Sequence, residues 1–154
     1  MYISAKCAPF SALTQSYHYD IHKESLLDVS EMIKDILLCI VSVQAELFLT
    51  APQFANQVMS FVVRNSAEQL IAKQTDRNVQ HPDNSSMARL LDLSAFEDSI
   101  QYYLSADTKK MIDDAKKSIG LDQNINLISS GLSRFRSRMR LALRSLYDQG
   151  LSRE

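Results

Sequence analysis

The sequence predicts an all-α fold, a single-domain bundle of about five helices with an irregular N-terminal arm. The chain of 154 residues contains only three glycines and three prolines, which favours helices over a turn-rich β architecture. Its apolar content of 45% and charged content of 23% are those of an ordinary globular domain. Apolar residues also recur at intervals of three and four residues, the spacing of amphipathic helices.

Two regions are predicted, an arm over residues 1–22 and a helical bundle domain over residues 23–154. Pro9 interrupts any early helix, and the aromatic residues of the arm have no helical spacing. His18 and His22 would share a face if this region were helical, but the sequence offers no evident third and fourth ligand. We therefore predict neither a metal site nor a cofactor.

The first helix is predicted to begin near Ser25, where Asp28 completes an imperfect capping box. The run from Ile36 to Val41 is apolar on every side, which indicates a helix covered on several sides, at the centre of the fold. A buried strand is the rival interpretation of that run, although the flanking residues favour a helix.

Pro52 suits the first turn of the second helix, because proline lacks the N–H that would be unpaired there. The predicted apolar face of this helix contains Phe54, Val58, Phe61, Val62, Leu70 and Ile71.

A polar stretch over residues 75–86 is predicted to be the longest loop. Ser85 or Ser86 would cap the third helix. A second capping box, from Ser94 to Glu97, predicts that this helix restarts or kinks.

The fourth helix is predicted to begin after Ser105, with Asp107 in the first turn, where the helix dipole favours a negative charge. Gly120 would end it in a left-handed cap.

The fifth helix is predicted to run from residue 125 to residue 146 with a regular apolar seam. Gly131 interrupts the pattern, costs about 1 kcal/mol relative to alanine, and would allow a neighbouring backbone to approach. The repeat of 3.5 residues is typical of a helix that packs against another helix, either within the bundle or in a partner. The seam residues are Ile125, Ile128, Leu132, Phe135, Met139, Ala142 and Leu146.

The same helix concentrates positive charge. Residues 123–154 hold six arginines and two acidic residues, a net charge of +4, whereas the rest holds 11 basic and 16 acidic residues, a net charge of −5. The basic end either packs beside acidic helices of its own chain or binds an anionic group or a partner. The arginines predicted to form this surface are Arg134, Arg136, Arg138, Arg140 and Arg144.

The predicted function is that of a non-enzymatic interaction module, an adaptor, chaperone-like or scaffold subunit that uses the arginine-rich helix as its partner surface. A protein partner or self-association is expected, and no small-molecule substrate is evident. The longest apolar run, residues 36–43, is far shorter than the roughly 20 residues of a membrane span. No signal peptide is recognisable, and Cys7 and Cys39 suggest no disulfide framework. We therefore expect a cytoplasmic protein with no membrane association.

Two alternatives remain open. The first is a nucleic-acid-binding regulator, because arginines on a helix can contact phosphates and guanine in the major groove. The second is a nuclease: Arg77, Asn78 and His81 resemble the Arg–Asn…His signature of HEPN-type helical RNases, with a spacing one residue shorter than the family pattern. That resemblance implies acid–base chemistry by His81 and phosphate binding by Arg77.

Overall fold

The fold is all-α, as predicted. A computed structural model describes Lys6, Phe10 and residues 27–75, 83–120 and 125–148, with residues 83–85 described by their backbone alone. Over residues 27–75, 83–120 and 125–148 the chain forms six α-helices and two short 3₁₀ helices, and no strand. Lys6 and Phe10 are helical as well, so the predicted arm is not irregular at these two positions. The α-helices are α1 (Glu31–Thr50), α2 (Ala55–Gln74), α3 (Asp83–Ser99), α4 (Ala106–Ile119), α5 (Ile125–Met139) and α6 (Arg144–Tyr147), and the 3₁₀ helices are Pro52–Phe54 and Gln101–Tyr103.

The helices pack around α1 and α3. Helix α1 contacts α2 and α3, and α3 also contacts α4 and α5. Together they enclose one apolar core, in which Ile33, Ile36 and Leu37 of α1 meet residues such as Leu91 and Phe96 of α3. The apolar run of the first helix is therefore a buried helix, and the strand interpretation is wrong.

Helix α1 begins later than predicted. Residues 27–30 are not helical and the helix starts at Glu31. Its N-cap, Ser30, is held by a carboxylate from α3: the Ser30 backbone N–H donates to Asp92 Oδ1 at 2.9 Å, and the Ser30 hydroxyl donates to Asp92 Oδ2 at 2.7 Å. Because Asp92 fixes Ser30 in an extended conformation, the helix cannot continue back toward Ser25, which itself lies outside the described residues.

The connection between α1 and α2 follows the prediction. Pro52 occupies the first position of the 3₁₀ helix that leads into α2. Phe54 and Phe61, which were predicted to lie on the apolar face of this helix, do not belong to the core, because 55% and 53% of their surfaces are exposed. The core face of α2 contains Met59, Val62, Val63, Ala67 and Leu70.

Helix α3 begins earlier than predicted and is continuous. It begins at Asp83, so that Ser85 and Ser86 lie within the helix and do not cap it. The predicted restart at Ser94 is also wrong, because the helix continues without interruption to Ser99. Phe96 is fully buried inside this stretch, and its burial stabilises the helical conformation in place of a local cap.

Helix α4 has the predicted ends. The Ser105 hydroxyl accepts a hydrogen bond from the Thr108 backbone N–H at 3.2 Å, which satisfies one of the N–H groups left unpaired in the first turn. Gly120 ends the helix with φ of +108°, in the left-handed region that glycine adopts without a steric penalty.

The fifth predicted helix is interrupted. Helix α5 stops at Met139, residues 140–143 form turns, and α6 contains only four residues. Leu143 is fully buried whereas Ala142 is exposed, because burying a leucine stabilises the fold far more than burying an alanine. Gln44 of α1 secures the segment by donating from Nε2 to the Ser145 carbonyl oxygen at 3.1 Å.

Part of the predicted arm contacts the bundle. The Phe10 side chain is buried in the core, and the Lys6 ammonium pairs with the Glu46 carboxylate on α1. The rest of residues 1–22, including His18 and His22, lies outside the described residues. Within the parts of the chain that are described, no helix has the length and apolar character needed to cross a membrane.

Candidate protein-interaction surface

The predicted seam of α5 is largely covered by the chain itself. Phe135 and Leu146 are buried. Ile128, Leu132 and Met139 are half-buried against the core. Ile125, at the start of the helix, and Ala142, in the turn after it, are the exceptions: 70% of the Ile125 surface is exposed, and Ala142 is exposed as well. Most of the apolar edge therefore packs inside the bundle, and the outward face of α5 is mainly polar, with Leu127 as an exposed apolar residue.

Gly131 marks the closest approach of α5 to the rest of the bundle. A Cβ atom at this position would lie 2.8 Å from Leu91 Cδ2 and 3.3 Å from the Leu27 carbonyl oxygen. Glycine thus lets α5 lie against α3 and against the backbone that precedes α1. The close backbone approach expected from the sequence is present here.

Four of the five predicted arginines bind groups of the same chain, and for three of them a partner belongs to another part of the bundle. Arg136 makes two hydrogen bonds to Asp98, from Nε at 2.7 Å and from Nη2 at 2.5 Å, and these bonds, with the negative charge of Asp98, raise the pKa of Arg136. Arg138 pairs with Asp28. Arg134 donates to the Ser130 hydroxyl at 2.9 Å and to the Leu27 carbonyl oxygen. These contacts join α5 to α3 and to the segment before α1.

The last two arginines are the most available. Arg144 pairs only with Asp148, one turn along, through Nε at 2.7 Å. Arg140 makes no side-chain hydrogen bond or ion pair within the described part of the chain. Both side chains project from the corner between α5 and α6, where 83% of the Leu141 surface is exposed as well.

A shallow groove lies at this corner. We call it the corner groove; it is lined by Ser137, Arg140, Leu141, Arg144, Tyr147 and Asp148. A neighbouring depression shares Ser137, Arg140 and Tyr147 with it and extends to Asp98. The Tyr147 hydroxyl lies 3.3 Å from the Ser99 hydroxyl, and burial raises the pKa of Tyr147. The positive charge of the groove comes from Arg140 and Arg144.

A second exposed surface was not singled out by sequence reasoning. Leu38 and Leu49 lie on the outward side of α1, and Phe54 and Phe61 on the outward side of the following helical segment. The signal was present, because Phe54 and Phe61 are seven residues apart and the buried positions of α2 follow a different row. Helices α1 and α2 and the segment between them therefore expose several large apolar side chains.

The structure does not test the other predicted sites. His18, His22, Arg77 and His81 lie outside the described residues. Among the residues that are described, no cluster of three or more histidine, cysteine or acidic side chains could hold a metal ion.

Comparison with known proteins identifies the family. A family model described as exocyst complex component Sec5 matches residues 1–146. The chain is also similar to "Exocyst complex component 2" of Caenorhabditis elegans, with 27% identity over 119 residues that cover 77% of this chain and 14% of that protein. No solved structure matches. Because the family model spans nearly the whole sequence, the chain belongs to the exocyst complex component Sec5 family.

Proposed function

We propose that this chain is a helical scaffold region that joins other proteins in an exocyst-type complex, with the arginine-rich C-terminal helix as a partner surface. The family and the named relative support a role in a protein complex. The chain spans 14% of that relative's length, so the proposal concerns this region and not everything that a longer protein does.

The observation that carries the proposal is the exposed corner between α5 and α6. The apolar side of α5 is used to pack against the bundle. What a partner meets is therefore the outward side, where Arg140 and Arg144 project beside Leu141. Cationic guanidiniums next to an exposed apolar side chain are typical of protein interfaces, in which arginine is enriched.

The contacts favour a protein partner over nucleic acid. Arg136 and Arg138 are held by carboxylates, and Arg134 by a hydroxyl and a carbonyl, so those arginines are less available to phosphates. The whole chain has a net charge of −1, whereas nucleic-acid-binding domains usually have a strong basic excess. Self-association through the seam is also disfavoured, because the chain already covers most of that edge.

The test is the recovery of other complex subunits with the protein. We expect Arg140→Glu/Arg144→Glu to lower the recovery of identified exocyst-type subunits roughly tenfold, the effect of losing about 1.4 kcal/mol of binding free energy. Arg64→Glu/Lys117→Glu is the matched control, because it reverses two charges that also pair locally on exposed helices, Arg64 with Glu68 and Lys117 with Asp114.

Equal recovery with both double variants would contradict the proposal. Thermal unfolding of each variant, followed by circular dichroism, would show that any loss does not come from unfolding. Both pairs of residues are exposed, so we expect all melting curves to lie close to that of the wild type.

A further inference from the structure

We propose that the corner groove binds a short acidic segment of a protein partner, one that also carries a large apolar side chain. This inference rests on the proposed function and specifies the chemistry of the partner. The groove is the one defined above, lined by Ser137, Arg140, Leu141, Arg144, Tyr147 and Asp148.

The corner groove carries positive charge that the described part of the chain does not fully neutralise. Arg140 has no ionic partner within the described part of the chain. Arg144 has only Asp148, and 75% of the Arg144 side chain and 45% of the Asp148 side chain are exposed. Exposed ion pairs of this kind contribute little to stability. An incoming carboxylate can therefore replace Asp148 at Arg144 and bind Arg140 without disturbing the bundle.

The geometry of a neighbouring ion pair indicates the type of anion. The neighbouring arginine on α5, Arg136, binds Asp98 through two parallel hydrogen bonds. This two-pronged geometry matches a carboxylate, for which the planar guanidinium is well shaped. The same side-chain type, presented one turn further along, suits a carboxylate from outside.

The number of arginines in the groove limits the charge of the ligand. Arg140 and Arg144 are the two arginines that line it. Nucleic-acid affinity depends on many phosphate contacts in a row, and two guanidiniums offer few of them. A short segment with two or three acidic residues therefore matches this charge better than a long polyanion does.

The corner groove also offers an apolar contact. Leu141 lies between the two arginines in sequence and is among the most exposed large apolar residues, at 83%. Covering it removes apolar surface from water, which favours binding. Tyr147 offers the adjacent half-covered ring. A partner with an apolar side chain next to its carboxylates therefore binds better than a purely acidic one.

A direct test is the fluorescence anisotropy of a labelled peptide of about ten residues that alternates glutamate with leucine, titrated with the full 154-residue chain. The comparison peptide has glutamine in place of every glutamate, and a labelled DNA duplex is the second probe. We expect the acidic peptide to bind roughly tenfold or more tightly than the glutamine peptide, and more tightly than the duplex.

Variants of the groove sharpen the test. We expect Arg140→Glu/Arg144→Glu to abolish peptide binding, Leu141→Ser to weaken it, and Arg64→Glu/Lys117→Glu to leave it unchanged. Asp148→Asn should strengthen binding roughly twofold to fivefold, because it removes the carboxylate that competes for Arg144. A general loss of folding cannot produce this gain. Equal binding of the two peptides, tighter binding of the duplex, or no gain in Asp148→Asn would overturn the inference.

The two proposals fail in different ways. If Arg140→Glu/Arg144→Glu lowers the recovery of complex subunits but the acidic peptide does not bind, the acidic-segment inference is wrong and the proposed function stands. If the peptide binds as expected and the recovery of subunits does not change, the groove is real and its assigned role in the complex is wrong.

Discussion

Helix α1 and the α5–α6 segment are held in the fold by different means. Eight of the 20 residues of α1 are buried, all of them apolar except Gln44. In α5 only Gly131 and Phe135 of 15 residues are buried. Helix α1 is thus fixed by a wide apolar surface, whereas α5 is fixed by a narrow one together with charged and polar contacts at its edges.

The difference explains which region can serve partners. Helix α1 is buried along much of its length, and the large side chains that it does expose, such as Leu38 and Leu49, are apolar and carry no charge. Helix α5 keeps its outward face in solvent. Its own arginines are held by contacts within the chain, whereas Arg140 and Arg144, which follow it, line the corner groove. Arg134 and Arg138 bind Leu27 and Asp28, next to the start of α1. The C-terminal segment therefore packs beside the N-terminus of α1 on one side and carries exposed positive charge on the other.

The largest loss of stability is expected from a cavity in α1. We expect Ile36→Ala to lower the free energy of unfolding by about 2–5 kcal/mol, because a fully buried side chain is removed. Leu38→Ala, on the outward side of the same helix, is the control and should cost far less. Chemical denaturation of both variants measures the difference. Similar losses would mean that the outward side of α1 is covered in solution.

A smaller loss is expected at the end of the chain. Leu143→Ala should cost about 2–3 kcal/mol, the low part of the range for buried leucines, because the terminal segment can move to fill part of the cavity. Leu141→Ala, two residues away, removes an exposed side chain and should change stability by less than about 0.5 kcal/mol. Should Leu141→Ala be the more damaging change, the assignment of Leu143 as the buried residue of this segment would be wrong.

The smallest effect concerns the contact of α5 with the bundle. Gly131→Ala gains about 1 kcal/mol of helix propensity. The added Cβ, however, meets Leu91 and the Leu27 carbonyl oxygen, and overpacking typically costs about 1–3 kcal/mol. We expect a net destabilisation of up to about 2 kcal/mol by thermal or chemical denaturation. Ser133→Ala, on the exposed face of α5, raises helix propensity without adding a steric contact and should be neutral or stabilising.

Much of the fold could be predicted because its signals are local. The Ser105 cap and the left-handed Gly120 each depend on residues within one turn. The apolar run of α1 indicates a buried helix by its density. Capping boxes misled where burial outweighed them, as at Ser94 within α3. The helical pattern of Phe54 and Phe61 indicated an apolar row without indicating which side of α2 faces the core.

By itself, therefore, the sequence determined the helical class, the central position of α1 and the concentration of arginines near the C-terminus, because composition and short-range spacing carry this information. Only the tertiary structure decided where α1 begins, since Asp92 lies 62 residues from the Ser30 that it holds. It also decided which arginines are occupied, since Asp98 and Asp28 lie 38 and 110 residues from their partners. Ion pairs and buried leucines are selected by distance in space, and no local pattern records that distance.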